Sequence, residues 1–557
     1  MKLFLTPIYL TCIALTLVAC KEEKKDVVQK EVPVLWETYD ETAELESQQT
    51  VENRRMKFKL LQSKATDPNA IFSKLYWEVT QFTQERYEAL RPFVLEQNIP
   101  AIQKSIADGK FTYEELTLFY LKRIYTYELD PESTLHTIMA LNPNVLEEAR
   151  MKDKNKTSKK HEIYGMPILL KDNINTANMN TTAGALVLQN NTPSKDAFIV
   201  SQLKKNGALI LGKVNLSEWA YYFCEGCPLG YSAIGGQTLN PYGRKIFETG
   251  GSSAGSGTAT AANYAVAAVG TETAGSIISP TSQNSLVGLK PTVGILSRSG
   301  IVPISHTLDT SGPMTKNAID NAILLDAMAG FDLDDSASVE KKSDYIAAIK
   351  EGTLEGKRLG VMNGLLEDSI YAATIQRLEA QGAVIINYDA PEIPLDGFSV
   401  LLDVEMREDL PKYLNGYASK NISVKNVADV MAFNQKDSLM NMPYGQGVFD
   451  GIAVDTTSAE EFEQIRTTLM ENGTKFFQQP MDEHNLDAVL SINNYHSAYA
   501  AVALHPCLAM PMGYQANGEP IALTFIGKPF SEVALLKMGY AYEKANPIRK
   551  IPDAFKD

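Results

Sequence analysis

Apolar positions recur at helical spacing from about residue 72 to 128. Leu116, Phe119, Tyr120, Arg123 and Ile124 share one face of a helix that Thr112 and Glu115 open as a capping box. A second helix is expected over Val145 to Lys152, behind Asn142-Pro143. The pattern then shortens. Pro167–Leu170 and Ala208–Leu211 are apolar runs of strand length, as are Ala488–Ile492, Cys507–Pro511 and Ile521–Ile526 near the end. Asp320–Ala329 reads as a helix closed by Gly330, and Ala373–Gly382 as another. Strands alternating with helices predict an α/β sheet covered by helices. From 335 to 480 the spacing is looser and more polar, which marks a peripheral or substrate-facing region. No repeat or sustained heptad is present, so one large domain built from both ends of the chain is expected.

The N-terminus has a different pattern. Lys2 precedes an apolar run, Leu3 to Ala19, ending in Leu17-Val18-Ala19-Cys20, the layout of a secretory signal. The run is short for a span that must cross about 30 Å of hydrocarbon. Its last four residues resemble the bacterial lipobox, in which the cysteine becomes the lipidated first residue. Residues 1–20 are thus expected to be a lipoprotein signal peptide and Cys20 the lipidation site. That places the protein in the cell envelope, anchored to membrane through lipid and facing the periplasm or cell surface. Residues 21–70 begin with many charges and lack a core-forming pattern, so a flexible tether is expected there. Residues 71–557 remain as the folded domain.

Composition narrows the function classes. The 557 residues are 44% apolar and 21% charged, as in an ordinary globular protein. A formal charge of -15 with no basic run argues against nucleic acid as a partner. Of five cysteines, Cys224 and Cys227 have C-x-x-C spacing, but no second pair or thioredoxin-like unit accompanies them. Incidental or structural cysteines are expected, with a local disulfide left open. The six histidines show no metal-binding spacing.

The densest chemistry lies between Glu248 and Lys290. Gly250-Gly251-Ser252-Ser253-Ala254-Gly255 and Thr273-Ala274-Gly275-Ser276-Ile277 flank an Ala-rich buried stretch. A serine becomes a nucleophile only beside a base. Lys171, at the end of a buried strand in Lys171-Asp172-Asn173, is unremarkable by itself, as is a Gly-Gly-Ser-Ser run. Their order is specific: Lys-Asp-Asn, then Gly-Gly-Ser-Ser, then Gly-Ser-Ile, then Gly288-Leu-Lys-Pro-Thr292 resembles the amidase signature family. Thr181–Gly184, Gly235–Tyr242 and Asp309–Met314 look like further pieces of it. Gly270–Thr273 and Lys290–Gly294 are most like the bacterial peptide amidase branch.

The resemblance implies a large mixed β-sheet with helices on both faces, and an amide hydrolase that needs no metal or cofactor. Lys171 matches the family's base and Ser252 its bridging serine, held by a cis peptide bond. Ser276, 24 residues further on, matches the nucleophile. Backbone amides of Thr273, Ala274, Gly275 and Ser276 would form the oxyanion hole. The expected substrate is a small amide, with C-terminal peptide amides the leading candidates. Fatty-acid or aryl amides are the first alternative, and a catalytically silent envelope binding protein is the second. Ala274 departs from the glycine common at that position and from the aspartate usual there in the peptide amidase branch, which bears on substrate identity, and Phe223–Gly230 departs from the usual loop before Gly235; that segment is expected to shape the acyl pocket.

Overall fold

The short apolar runs are strands. The computed structural model describes residues 31–155, 160–340 and 344–556. Its strands are β1 (Ile138–Leu141), β2 (Pro167–Lys171), β3 (Leu209–Val214), β4 (Tyr231–Ser232), β5 (Gly236–Gln237), β6 (Ala267–Glu272), β7 (Val287–Lys290), β8 (Thr310–Thr315), β9 (Arg358–Met362), β10 (Val384–Tyr388), β11 (Ala488–Ile492), β12 (Cys507–Tyr514) and β13 (Pro520–Ile526). Among the described residues, all but β4 and β5 form one eleven-stranded sheet, ordered β1-β3-β2-β6-β8-β7-β12-β13-β11-β9-β10. β2 runs parallel to both β3 and β6, whereas β8 and β7 are antiparallel additions, so the sheet is mixed.

In β2, β3, β6, β8, β11 and β13 every residue is buried. Side chains alternate between faces along a strand, so burial of every position means that both faces are covered. Six helices matter below: α1 (Tyr113–Glu128), α2 (Ala254–Ala261), α3 (Ile278–Gln283), α4 (Ala318–Met328), α5 (Phe398–Gly416) and α6 (Gly447–Val454). The capping box of α1 forms as its residues require: Thr112 Oγ1 accepts from Glu115 N, and Glu115 Oε2 accepts from Thr112 N, both at 3.1 Å.

Three expectations need correction. The tether does not extend to residue 70, because one compact unit starts at Val34. Trp36, Met56, Phe58 and Leu61 are buried, and Leu61 O accepts from Gln237 N at 2.8 Å. These apolar residues have no regular period because each packs singly into the body. Gly330 does not close α4 in a left-handed turn. The helix ends at an extended Ala329, and Gly330 packs against the side chains of Gln202 and Phe198. The region 335–480 is not peripheral throughout: β9 and β10 complete one edge of the main sheet, and α5 reaches the cavity described below. Cys20 and the signal segment lie outside the described residues, among which no helix is long and apolar enough to cross a membrane.

Candidate active site

Sheet register brings the three motifs together. Leu170 of β2 pairs with Val269 of β6, so Lys171 emerges beside the end of β6. Its Nζ lies 2.8 Å from Ser252 Oγ, 2.8 Å from Thr271 Oγ1 and 3.1 Å from Thr271 O. Lys171 and Ser252 are both fully buried. The Gly251–Ser252 peptide bond is cis. Gly270 lets this loop lie against β6, since a Cβ there would meet Ser253 Oγ at 2.9 Å. Ser253 Oγ in turn donates to Thr271 O at 3.0 Å.

Ser276 sits on the arch between β6 and α3, half-buried. Its carbonyl accepts from Ser253 N at 3.1 Å, which places its backbone against the residue after Ser252. Among the described residues its hydroxyl makes no hydrogen bond, so geometry joins Lys171 to Ser252 directly and Ser276 to them through backbone. Two acids set the arch. Glu272 Oε2 accepts from Ile277 N at 2.7 Å and Ile278 N at 3.0 Å, which ties the start of α3 back to the end of β6. Asp309 Oδ1 accepts from Thr273 Oγ1 at 2.6 Å, and its Oδ2 from Ile304 N and Ser305 N at 2.8 and 3.0 Å. Gly275 holds a φ of 96° at the bend. With the arch so held, the N–H groups of Thr273, Ala274, Gly275 and Ser276 have no acceptor among the described residues.

Burial pushes the Lys171 ammonium down to about 7, against the opposing pull of the Asp309 and Glu272 carboxylates. Asp309 is raised to about 6 by burial, which the Thr273, Ser305 and Ile304 hydrogen bonds partly offset. A second buried lysine, Lys213, lies 3.5 Å from Asp172 of the Lys-Asp-Asn motif. Asp172 also accepts from Thr182 N at 3.1 Å, so this aspartate fixes the turn after β2 rather than the reacting groups.

A cavity of about 290 Å³ opens beside this floor. Asn173, Thr271, Thr273 and Asp309 form its base, Ile301 to Ile304 with Ala220 one wall, and Tyr413 and Tyr417 of the α5 region another. The segment Phe223–Gly230 does not itself line it. Cys224 and Cys227 are disulfide-bonded and, with Phe223, pack around Phe449 of α6 in one cluster with Trp219, the chain neighbour of the cavity-lining Ala220. At the rim, His306, Glu405 and Asp409 place ligand atoms within 4.8 Å of one another. Their oxygens are already engaged: Glu405 accepts from Ser305 Oγ and from Thr307 N at 3.1 Å, Asp409 from His306 N and Lys412 Nζ, both at 2.8 Å. The cluster clasps the loop after Ile304 to α5. Its hydrogen bond to Asp409 raises the His306 pKa, with Glu405 adding to the effect.

Known proteins share this architecture. The sequence pattern of the Amidase family matches residues 115–491. The chain belongs to the amidase family. A probable amidase of Arabidopsis thaliana is 33% identical over 476 residues, covering 82% of this chain and 92% of its own. The crystal structure of an amidase family protein from Bacillus anthracis superposes with a TM-score of 0.84 at 37% identity, covering 88% of this chain and 99% of that one. Native peptide amidase from Stenotrophomonas maltophilia gives a TM-score of 0.78 at 35% identity, covering 83% and 99%. This amidase is therefore an amide hydrolase built on a large mixed sheet. Sequence reasoning missed Glu272, Asp309 and the α5 residues of the rim. Glu272 had a readable signal, an acid at a strand end just before a helix start; the rim residues had none, because they lie about a hundred residues beyond the loop they hold.

Proposed function

We propose that this amidase cleaves carboxamides through an acyl-enzyme, with Ser276 as nucleophile, Ser252 as bridge and Lys171 as base. The observation that carries the reading is the fully buried Lys171–Ser252 contact of 2.8 Å, beside an arch of four free amides. A neutral Lys171 takes the Ser252 proton, Ser252 takes that of Ser276, and Ser276 Oγ bonds to the carbonyl carbon. Active-site hydrogen bonds often tighten only once substrate is present, and the Ser276 hydroxyl is expected to turn to Ser252 at that stage. The N–H groups of Thr273 to Ser276 hold the oxyanion. Its collapse breaks the C–N bond, the leaving nitrogen takes the proton back from Ser252, and water releases the carboxylate from Ser276.

The substrates we propose are C-terminal peptide amides, a reading supported by the likeness to the S. maltophilia peptide amidase. The apolar walls at Ile301, Val302 and Ile304 favour a second reading, fatty or aryl amides. Ammonia release from a panel of peptide, fatty and aryl amides, with Ser276→Ala as control, tests both. Turnover that survives Ser276→Ala would sink the mechanism. Turnover of fatty or aryl amides alone would replace the substrate. We also propose lipidation at Cys20 and residence in the cell envelope, supported by the Leu17-Val18-Ala19-Cys20 pattern. Metabolic labelling with an alkyne fatty acid should mark the wild-type chain, and labelling that persists in Cys20→Ala would overturn this.

A further inference from the structure

The cavity beside the active site runs from a buried base to an exposed mouth, where His306, Asp334, Lys412 and Tyr417 meet solvent. The cations of this mouth are already committed. Lys412 Nζ lies 2.8 Å from Asp409 Oδ1, and His306 lies 2.9 Å from Asp409 and 3.3 Å from Glu405. Arg298, mostly buried, donates through Nε to Asp335 Oδ2 at 3.0 Å and through a second nitrogen to Oδ1. Asp334 differs from all of these. Among the described residues its carboxylate takes no hydrogen bond and no ion pair, while its backbone N–H donates to Asp332 Oδ1 at 3.0 Å. Asp335 accepts from Arg298 N at 2.8 Å and from Ala337 N at 3.0 Å, so the loop that presents Asp334 is fixed on both sides.

The balance of charge at the mouth is negative. Asp334, Asp335 and Asp409, with Glu405 behind them, meet Arg298, Lys412 and one histidine, so negative charge prevails in either form of that histidine. Tyr417 stands on the same rim, 38% exposed, its ring stacked on Tyr413 with centroids 6.3 Å apart. An unpaired carboxylate and an open aromatic face on one rim both suit an ammonium group. The cavity of about 290 Å³ equals the space of about ten waters, room for roughly ten non-hydrogen atoms. That is the size of an acyl group of one or two amino acids. Val302 and Ile304 make the wall below the mouth apolar, so a positive group belongs at the outer end of such a chain.

We infer that Asp334 binds a positively charged amine at the far end of the acyl group, so that the preferred substrates are amides of short peptides with a free amino terminus. The inference rests on the proposed amide hydrolysis at Ser276. Asp334 lies outside the signature motifs, and it sets preference among substrates without touching the reacting groups.

The test uses the full chain and three leucinamides that differ only at the outer end. Glycyl-leucinamide carries an ammonium, propanoyl-leucinamide is its neutral isostere, and malonyl-leucinamide carries a carboxylate. At pH 7 the free amine, with a pKa of about 7.7–8.0, is mostly protonated. An exposed charge pair together with an aromatic face predicts that wild-type kcat/KM favours the glycyl over the propanoyl substrate by about 3- to 30-fold, chiefly through KM. The malonyl substrate should be poorer still. The preference should fade in about 1 M salt, which screens charges beyond about 3 Å. Asp334→Asn should cut it by about 2- to 5-fold, and Asp334→Lys should cut it further. A wild type that treats the glycyl and propanoyl substrates alike overturns the inference. So does a preference that survives salt or both substitutions. Ser276-dependent turnover of fatty or aryl amides with none of the three leucinamides would remove the peptide reading along with this inference. Absence of Ser276-dependent turnover of any amide would remove the mechanism itself, a result distinct from the others.

Discussion

Replacing Lys171 by methionine keeps the stem's bulk and removes the titrating nitrogen, which separates the requirement for a base from the cost of burying one. Free lysine titrates near 10.5, and burial lowers Lys171 to about 7. Between those values the unfolded chain binds more protons than the folded chain, so stability rises with pH across the window from about 7 to 10.5. Below it both states are protonated and the cost is complete; above it both are neutral and the cost is gone. At pH 7 the deficit comes to about 4 kcal/mol, since each tenfold loss of proton affinity is worth about 1.4 kcal/mol. Leaving Thr271 and Ser252 without the lysine's hydrogen bonds returns about 1–3 kcal/mol of that, but this part does not vary with pH. Lys171→Met should therefore be inactive and, relative to wild type, most stabilised at pH 7 and below. Urea unfolding of both proteins between about pH 6 and 10 reads the difference, which should shrink by about 3–4 kcal/mol from pH 7 to 10. A difference constant with pH would refute the depressed lysine. The same lowered pKa predicts that wild-type kcat/KM rises through a midpoint near 7, where roughly half of the lysine is neutral, against about one part in three thousand for an unperturbed one. A rise centred near 10 would refute it independently.

The other predictions follow from the same contacts. Ser252→Ala should lower kcat by about 10²–10⁴-fold, as expected for a proton-transfer group, and turnover within a fewfold of wild type would exclude Ser252 from the relay. Asp309→Asn removes the carboxylate that holds the Lys171 pKa up, so the midpoint of the pH–rate profile should move to lower pH; an unchanged midpoint would show that the Asp309 charge does not reach the lysine. Cys224→Ala/Cys227→Ala opens a loop of only a few residues and should cost at most about 2 kcal/mol in unfolding free energy, with KM rising through the looser Ala220 wall. Unchanged KM would show that the disulfide does not support the cavity.

Much of this enzyme is legible in one dimension because much of its chemistry is local. The strands β2, β11, β12 and β13 show as apolar runs, since a strand buried on both faces needs no alternation. Lys171, Ser252 and Ser276 could be named from motif order, because each lies on or beside a loop whose small residues are required by close backbone approach. Residues 34–70 could not be placed: Trp36, Phe58 and Leu61 bind the body one at a time, without a period to read. The setting of the site is likewise a tertiary property. A lysine is an ordinary cation until the sheet buries it against Thr271 and Ser252, and only then does its proton become available near neutral pH. The four free amides depend on Glu272 and Asp309 reaching across the arch, and the cavity depends on α5 closing over it. Composition and spacing determined which groups are present; packing decided their charge, their direction and which of them meet.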